Sequence, residues 1–300
     1  MEEATNAPLA RFTTLKIGGE ATRLCHPRTL DELVELVGKL DQKGEPWFII
    51  GGGSNLLISS AGVKGTVIRT AYLTEINNPE PEVIEAAAGA RLPHMAKQAA
   101  HLGLSGLEFA VGIPGTAGGA VIMNAGAHGS CIANILESAT VYDTEEGDLK
   151  VYKAEDLDFV YRACKLKPDK HVVVSARFRL QKGDAASIEE VTRHNEDYRW
   201  RTQPIGWPNA GSTFKNPEPE RAAGYLLDQA GAKNLKEGQA AVSAIHANFV
   251  INLGKATSTE VTSLLQRMQA CVYDSYAIRL KPEWKTLGEF GAEAMAVWEK

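Results

Sequence analysis

Cysteine is scarce in this 300-residue chain: Cys25, Cys131, Cys164 and Cys271 are scattered, and no C-x-x-C pair occurs. The pattern excludes a disulfide framework and reads as buried or free thiols in a reducing compartment. A dominant charge is also missing. The 32 basic and 37 acidic residues leave a formal net charge of −5, which argues against broad nucleic-acid binding but not against a local anion site. The acidic start Met1-Glu2-Glu3 has no apolar stretch behind it, so no secretory signal is expected and the cytoplasm is the expected location. One stretch, Phe109 to Leu136, lacks Lys, Arg, Asp and Glu and is long enough to span a bilayer. It also holds six glycines, Pro114, Asn124, His128 and Asn134, which would set polar groups and helix breakers against lipid. Backbone built for close approach is the better reading, and no membrane insertion is expected.

Several catalytic motifs are absent too. No G-x-G-x-x-G follows a strand, so a Rossmann site has no local support. There is no G-x-x-x-x-G-K-[ST] loop, no H-E-x-x-H and no Cys/His spacing for zinc, so no metal is expected. Ser54 sits in Gly52-Gly53-Ser54-Asn55-Leu56 and lacks the second glycine of a nucleophile elbow. The seven histidines are dispersed and read as structural or surface residues.

What is present is ordinary globular composition, 44% hydrophobic and 23% charged, at a length that suggests two domains. Thr29 to Lys43 has Leu30, Leu33, Val34, Leu36, Val37 and Leu40 at helical spacing, with Thr29 as N-cap and Glu32 three residues on. Further helices are expected over Leu92–Leu102, Ser187–Arg201, Arg221–Gln229 and Ser258–Tyr276. Strands are expected at Trp47–Ile50, Thr66–Ile68, Val83–Ala86, Ser138–Tyr142, His171–Leu180 and Phe249–Ile251. In the His171 strand, Val174, Ala176, Phe178 and Leu180 alternate onto one face. Helices and strands mix without regular βαβ alternation, which predicts an α+β fold. A polar helix followed by Gln203-Pro204-Ile205-Gly206-Trp207-Pro208 puts the main boundary near residues 182–200.

Four segments could carry chemistry. Gly51-Gly52-Gly53-Ser54-Asn55 follows a buried strand, and its successive N–H groups could cradle a pyrophosphate; a tight turn is the open alternative. Gly112-Ile113-Pro114-Gly115-Thr116-Ala117-Gly118-Gly119-Ala120, continuing to Asn124-Ala125-Gly126, offers small residues against which a planar cofactor could lie; a close-packed Gly/Ala crossing would look the same. Two such loops favour a large phosphate-bearing cofactor. Gly211-Ser212-Thr213-Phe214-Lys215-Asn216-Pro217 holds a hydroxyl, an ammonium and a carboxamide within five residues. Tyr161-Arg162, Arg199, Arg201 and Leu280-Lys281-Pro282-Glu283 are not diagnostic alone.

Taken in order, and together with Thr14-Leu15-Lys16-Ile17-Gly18-Gly19 and His246-Ala247-Asn248-Phe249-Val250-Ile251-Asn252, these segments resemble the UDP-N-acetylenolpyruvoylglucosamine reductases, the MurB family. The resemblance runs over residues 10 to 290. It implies an FAD-binding region of two α+β subdomains of the PCMH type, at 1–70 and 71–195, and a C-terminal α+β substrate-binding domain at 196–300. It implies NADPH-dependent reduction of UDP-N-acetylglucosamine enolpyruvate to UDP-N-acetylmuramate in peptidoglycan precursor synthesis. FAD contacts would come from Gly51, Gly52, Gly53, Ser54, Asn55, Ile113, Pro114, Gly115, Gly118, Gly119, Ala125 and Gly126. Oxidases of the wider FAD-binding group often carry a histidine for covalent flavin attachment, whereas the triple-glycine loop here has Ser54, so FAD is expected to be non-covalent. Arg162 and a protonated Glu283 would stabilise the enolate, which requires burial or a negative neighbour at Glu283. Ser212 would protonate the carbanionic carbon with Lys215 in support. Lys215, Asn216, Arg199 and His246 would contact substrate, Arg199 at the diphosphate. The spacing after Tyr161-Arg162 resembles the shorter subclass without an extra tyrosine loop, and the chain is expected to be a monomer. Two departures stand out: Cys164 where the family often has serine, and Thr213 where valine is common. The competing readings are another FAD-dependent oxidoreductase with a different substrate, and a regulator that binds flavin or nucleotide sugar without catalysis; intact Arg162, Ser212 and Glu283 oppose the latter.

Overall fold

The computed structural model describes residues 1–218 and 221–299. The chain forms two compact units, one of residues 1–5, 23–52 and 65–199, the other of 6–22, 53–64 and 200–300.

The first unit is built on a five-stranded antiparallel sheet, in the order Asp148–Lys153, Leu136–Asp143, His171–Arg179, Val83–Ala87, Ile76–Glu80. Helix α1 (Leu30–Gln42) contributes Leu33, Leu36, Val37 and Leu40 to a cluster with Trp47, Ile68, Tyr142, Val172 and Val174. Its N-cap is Thr29, whose hydroxyl accepts the Glu32 N–H at 3.2 Å, as the sequence predicts. Helices α2 (Leu92–His101) and α3 (Ala117–Ile122) contribute to a second cluster with Ala139, Val141, Ala176 and Phe178. The strand Trp47–Ile50 runs parallel to Val63–Arg69 and leads directly into the triple-glycine loop.

One expected register is wrong. Val174 does not share a face with Ala176, Phe178 and Leu180: it packs with α1, and they pack in the α2/α3 cluster. The reason is a β-bulge. Thr140 pairs with Ser175 but Val141 pairs with Val173, so Val174 is an extra residue and the alternation changes parity there.

Helix α4 (Ala185–Thr202) begins two residues before its expected start and buries only Ile188, Thr192 and Asn195. The border between the units falls at its last turn, between Arg199 and Trp200.

The second unit holds α5 (Ala223–Gln229), α6 (Ser258–Tyr276) and α7 (Ala292–Glu299) with a small antiparallel sheet of Lys236–Glu237, Ala240–Val242 and Val250–Asn252. Helix α6 starts in a reciprocal cap: Thr257 accepts from Glu260 N at 3.2 Å, and Glu260 accepts from Thr257 N at 2.8 Å. Val261, Leu264, Leu265, Met268 and Val272 form its buried stripe, packed with Leu226, Leu227, Phe214 and Trp284. The charge-free run 109–136 is broken into α3, two short 3-10 turns and a two-residue strand pair. Among the described residues no helix is long and apolar enough to cross a membrane.

Candidate active site

The first unit brings the two glycine-rich loops together. A Cβ on Gly51 would collide with Thr116 Oγ1, and one on Gly52 would lie 2.8 Å from the Pro114 carbonyl oxygen. Gly118 has the same kind of constraint, 3.1 Å from Ala88 Cβ, while its N–H donates to Ala88 O at 3.0 Å. Ile113 N–H donates to Ala110 O at 3.0 Å, and Gly115 O accepts from Leu92 N at 3.1 Å. Ala125 is pinned from both sides by Ala120 O and Ile132 N, each at 2.9 Å. Gly119 differs: a Cβ there would meet nothing nearer than Thr116 Oγ1 at 3.7 Å, and the residue is exposed.

Two features in these loops suit a phosphate-bearing ligand. The N–H groups of Gly51 and Gly52 donate no hydrogen bond among the described residues. Thr116 Oγ1 is buried, at the N-cap of α3, and has no hydrogen-bond partner among the described residues. An orphaned hydroxyl beside unpaired amides, where glycines let the two loops approach closely, fits an anionic group. Thr116 was not among the expected contacts; its burial next to Gly51 only emerges from the fold.

Arg162 sits at the tip of a tight turn in which Val160 and Ala163 exchange backbone bonds of 3.0 and 3.2 Å. Its φ is +59°, a left-handed conformation that costs an L-residue about 1–2 kcal/mol. Its guanidinium donates to Gly126 O at 2.8 Å and to Asn124 O at 3.5 Å, and lies 5.1 Å from the Tyr161 ring centre. Asn124, also at positive φ (+40°), fastens the loop by donating to Val160 O and accepting from Ala133 N, both at 3.0 Å. The Gly126 loop and the Arg162 turn are thus one construction. Cys164 acts as a donor: its thiol donates to Ile122 O at 3.6 Å, and burial pushes its pKa up.

Arg199 donates to Gly112 O, and Gly112 is bare where a Cβ would lie 3.0 Å from Arg199 Cδ. Burial pulls its pKa down to about 10. The expected diphosphate contact is therefore an arginine that also braces the second glycine-rich loop.

In the second unit, Gly53 needs its missing side chain for the protein itself. Its φ is +62°, a Cβ would collide with Phe12 O, and its own carbonyl accepts from Thr14 N at 3.1 Å. Asn55 is spent on the C-terminal segment, donating from Nδ2 to Glu283 O at 3.3 Å. Ser212 follows Gly211, whose φ of +75° fits a glycine. Glu283 N donates to Thr213 O at 2.8 Å, and Lys215 N donates to Lys281 O at 2.9 Å. Ser212 and Lys215 on one side and the sequence-distant Glu283 on the other are thereby fixed on two adjacent strand-like segments.

Ser212, Asn216 and His246 line one cavity of about 370 Å³, together with Tyr225, Asp228 and Lys233. The last three carried no motif signal; they converge because α5 and the turn after it face the Ser212 segment. Asn216 Oδ1 accepts from Ala223 N at 3.0 Å. His246 Nδ1 accepts from Asn248 N at 3.2 Å, and burial, aided by the Lys233 cation, lowers its pKa. Among the described residues no cluster of His, Cys, Asp and Glu could hold a metal ion.

Comparison with known proteins decides the family. The family of UDP-N-acetylenolpyruvoylglucosamine reductase C-terminal domains matches residues 203–287, and the family of FAD binding domains matches residues 21–152. A UDP-N-acetylenolpyruvoylglucosamine reductase of Parasynechococcus marenigrum (strain WH8102) is 43% identical over 286 residues, covering 95% of this chain and 95% of that protein. The chain belongs to the UDP-N-acetylenolpyruvoylglucosamine reductase family. A second relative of the same name, from Synechococcus sp. (strain RCC307), is 44% identical over 95% of this chain and 94% of its own. The solved structure of UDP-N-acetylenolpyruvylglucosamine reductase (MurB) from Thermus caldophilus has a TM-score of 0.80 at 33% identity, covering 95% of this chain and 98% of that one. The family match supports both the α+β architecture and the FAD-binding character of the first unit.

Proposed function

We propose that Arg162, Ser212 and Glu283 carry the reduction of UDP-N-acetylglucosamine enolpyruvate to UDP-N-acetylmuramate, with FAD as cofactor and NADPH as reductant. The observation that carries this reading is the pairing of the Ser212–Lys215 segment with Lys281–Glu283, which fixes a hydroxyl and a carboxyl on one scaffold.

FAD, when bound, supplies the hydride it has taken from NADPH. Gly51, Gly52, Thr116 and Gly119 would hold it, with the loop of Ile113, Pro114 and Gly115 and the turn of Ala125 and Gly126 shaping the surface. Gly53, Ser54 and Asn55 complete the first loop.

Hydride addition to the enolpyruvyl double bond leaves negative charge spread into the substrate carboxylate. The Arg162 guanidinium answers that charge, and its turn and carbonyl partners hold it ready before reaction. Glu283 acts on the same carboxylate. Ser212 donates its hydroxyl proton to the carbanionic carbon, completing addition of one hydride and one proton across the double bond. Serine is a weak acid but the carbanion is a strong base, so the transfer runs downhill. Lys215 supports the hydroxyl. Asn216 and His246, in the cavity beside Ser212, bind the nucleotide sugar, and Arg199 pairs with its diphosphate. The same reading assigns the protein to the cytoplasm as a monomer; light scattering giving the mass of one chain checks the latter.

The decisive test separates two half-reactions under anaerobic conditions. Ser212→Ala should leave reduction of bound flavin by NADPH unchanged. It should slow return of the oxidised flavin spectrum on adding the enolpyruvyl substrate by about 10²–10⁴-fold, the usual worth of a general acid. Equal slowing of both halves would remove Ser212 from its role. A wild-type protein whose reduced flavin ignores the substrate would move the activity to another substrate.

A further inference from the structure

Asn248 has no part in the chemistry above, yet its side chain bonds twice to the segment that carries Ser212. It is buried, at 3% exposure, just ahead of the strand Val250–Asn252. Its carbonyl accepts Thr213 N at 2.8 Å. Its side-chain Oδ1 accepts Phe214 N at 2.9 Å, and its Nδ2 donates to Phe214 O at 2.9 Å. The carboxamide therefore stands in for a peptide group of a neighbouring strand, one acceptor and one donor in a single plane. Both faces of this segment are accounted for: Asn248 holds one side, and the Lys281–Glu283 segment holds the other through Thr213 O and Lys215 N.

We propose that Asn248 is a positioning residue for the reaction, clamping the Ser212–Lys215 segment so that Ser212 and, through Thr213 O, Glu283 keep their reactive placement. The proposal rests on the reading of Ser212 and Glu283 given above. Its chemistry is specific to asparagine. Aspartate keeps the shape but turns an oxygen toward Phe214 O, replacing attraction by repulsion. Alanine leaves the Phe214 N–H and C=O without partners in the core, since Phe214 is 1% exposed. Glutamine is one methylene too long for both bonds at once. The backbone N–H of Asn248 is held by His246 Nδ1, so the clamp is also tied to the cavity wall.

The test uses the FAD-loaded protein with Asn248→Asp and Asn248→Ala. Both variants should retain flavin and accept electrons from NADPH at close to the wild-type rate. Oxidation of the reduced flavin by the enolpyruvyl substrate should fall by about 100-fold, the scale of a small misplacement of reacting groups. For Asn248→Asp that rate should recover as pH is lowered, because a protonated carboxyl again offers one donor and one acceptor. A substrate half-reaction within threefold of wild type, equal slowing of both halves, or no recovery at low pH in Asn248→Asp would each overturn the proposal. A second measurement does not depend on the variants folding or on the substrate being right. In wild-type protein the Thr213 and Phe214 amides should exchange with solvent deuterium about 100-fold or more slowly than unprotected amides; fast exchange at both would also overturn the clamp. If wild-type reduced flavin ignores the substrate while these amides are protected, the assigned reaction fails and the clamp stands.

Discussion

Thr213 carries a hydroxyl into a place that offers it nothing. The residue is fully buried, and its Oγ1 has no hydrogen-bond partner among the described residues. An unmet buried hydroxyl costs about 1–3 kcal/mol. Thr213→Val keeps the β-branched shape and removes the group, so it should raise stability by about 1 kcal/mol and the melting temperature by about 2 °C. A melting temperature that falls would show that the hydroxyl has a bonded partner in solution, such as a buried water. His246 presents the reverse case, a polar atom whose one bond requires a protonation state. Its Nδ1 can accept from Asn248 N only while the ring is neutral. Burial, with Lys233 nearby, lowers its pKa in the fold below the ordinary value. The unfolded chain therefore binds the proton more readily. The stabilising contribution is present above about pH 6.5 and is lost as pH falls through the folded pKa. Urea unfolding of wild type and His246→Gln should give a stability gap that narrows as pH falls from about 7.5 to about 5; a constant gap would remove the neutral-ring requirement.

The two glycine-rich loops show that one residue type serves two purposes. Gly53 is glycine because of Phe12 O and a left-handed φ, whereas a Cβ on Gly119 would make only an ordinary contact, with Thr116 Oγ1 at 3.7 Å. Gly119→Ala should therefore leave the FAD-free protein as stable as wild type or up to about 1 kcal/mol more so, since alanine favours a helix. Titration with FAD should nevertheless show affinity lowered by about tenfold or more, about 1.4 kcal/mol, because the new methyl stands on the cofactor surface. Unchanged affinity would take Gly119 out of the cradle. Gly53→Ala should instead lower the melting temperature of the FAD-free protein, the signature of a structural glycine. This distinction was not legible in the sequence, where G-G-G-S-N reads equally as nest or turn. Elements with a local signature were legible: Thr29 and Glu32 marked the start of α1, and Thr257 with Glu260 frames α6. The strand Glu2–Pro8 was not, because Glu-Glu-Ala-Thr-Asn-Ala-Pro has no apolar alternation and is almost wholly exposed. Nor was the bulge at Val174, whose cause is pairing with Thr140 and Val141 some 30 residues earlier. In the candidate site, Ser212, Asn216 and His246 were visible as motif residues. Tyr225, Asp228 and Lys233 were not, because only tertiary packing brings α5 and the turn after it to the same cavity.

The C-terminal hundred residues look in sequence like a domain that could be cut free, and the matched C-terminal family spans 203–287. The second unit is not that segment alone. Residues 6–22 and 53–64 belong to it, so the chain passes between the units five times, at 5/6, 22/23, 52/53, 64/65 and 199/200. The borrowed residues are core residues: Leu15, Ile17 and Leu57 are at most 2% exposed and pack with Phe214, Leu226, Leu264 and Trp284. Burial of each is worth roughly 1.5–3 kcal/mol. They also supply backbone partners. Leu56–Ile58 runs parallel to Lys285–Leu287, and Asn252 Nδ2 donates to Leu15 O at 3.0 Å. Ser60 and Ser258 exchange bonds at the start of α6, 2.9 Å from Ser60 N to Ser258 Oγ and 2.8 Å from Ser258 N to Ser60 Oγ. A fragment of residues 200–300 would lose three core side chains and leave these groups unmet, against a total stability of about 5–15 kcal/mol for a typical domain. It should therefore give a circular dichroism spectrum of low helix content and no cooperative urea transition. Adding a peptide of residues 53–64 should restore structure only in part, because Leu15 and Ile17 would still be missing. A fragment that unfolds cooperatively by itself would show that α5, α6 and α7 suffice, and that the two N-terminal excursions serve the site rather than the fold.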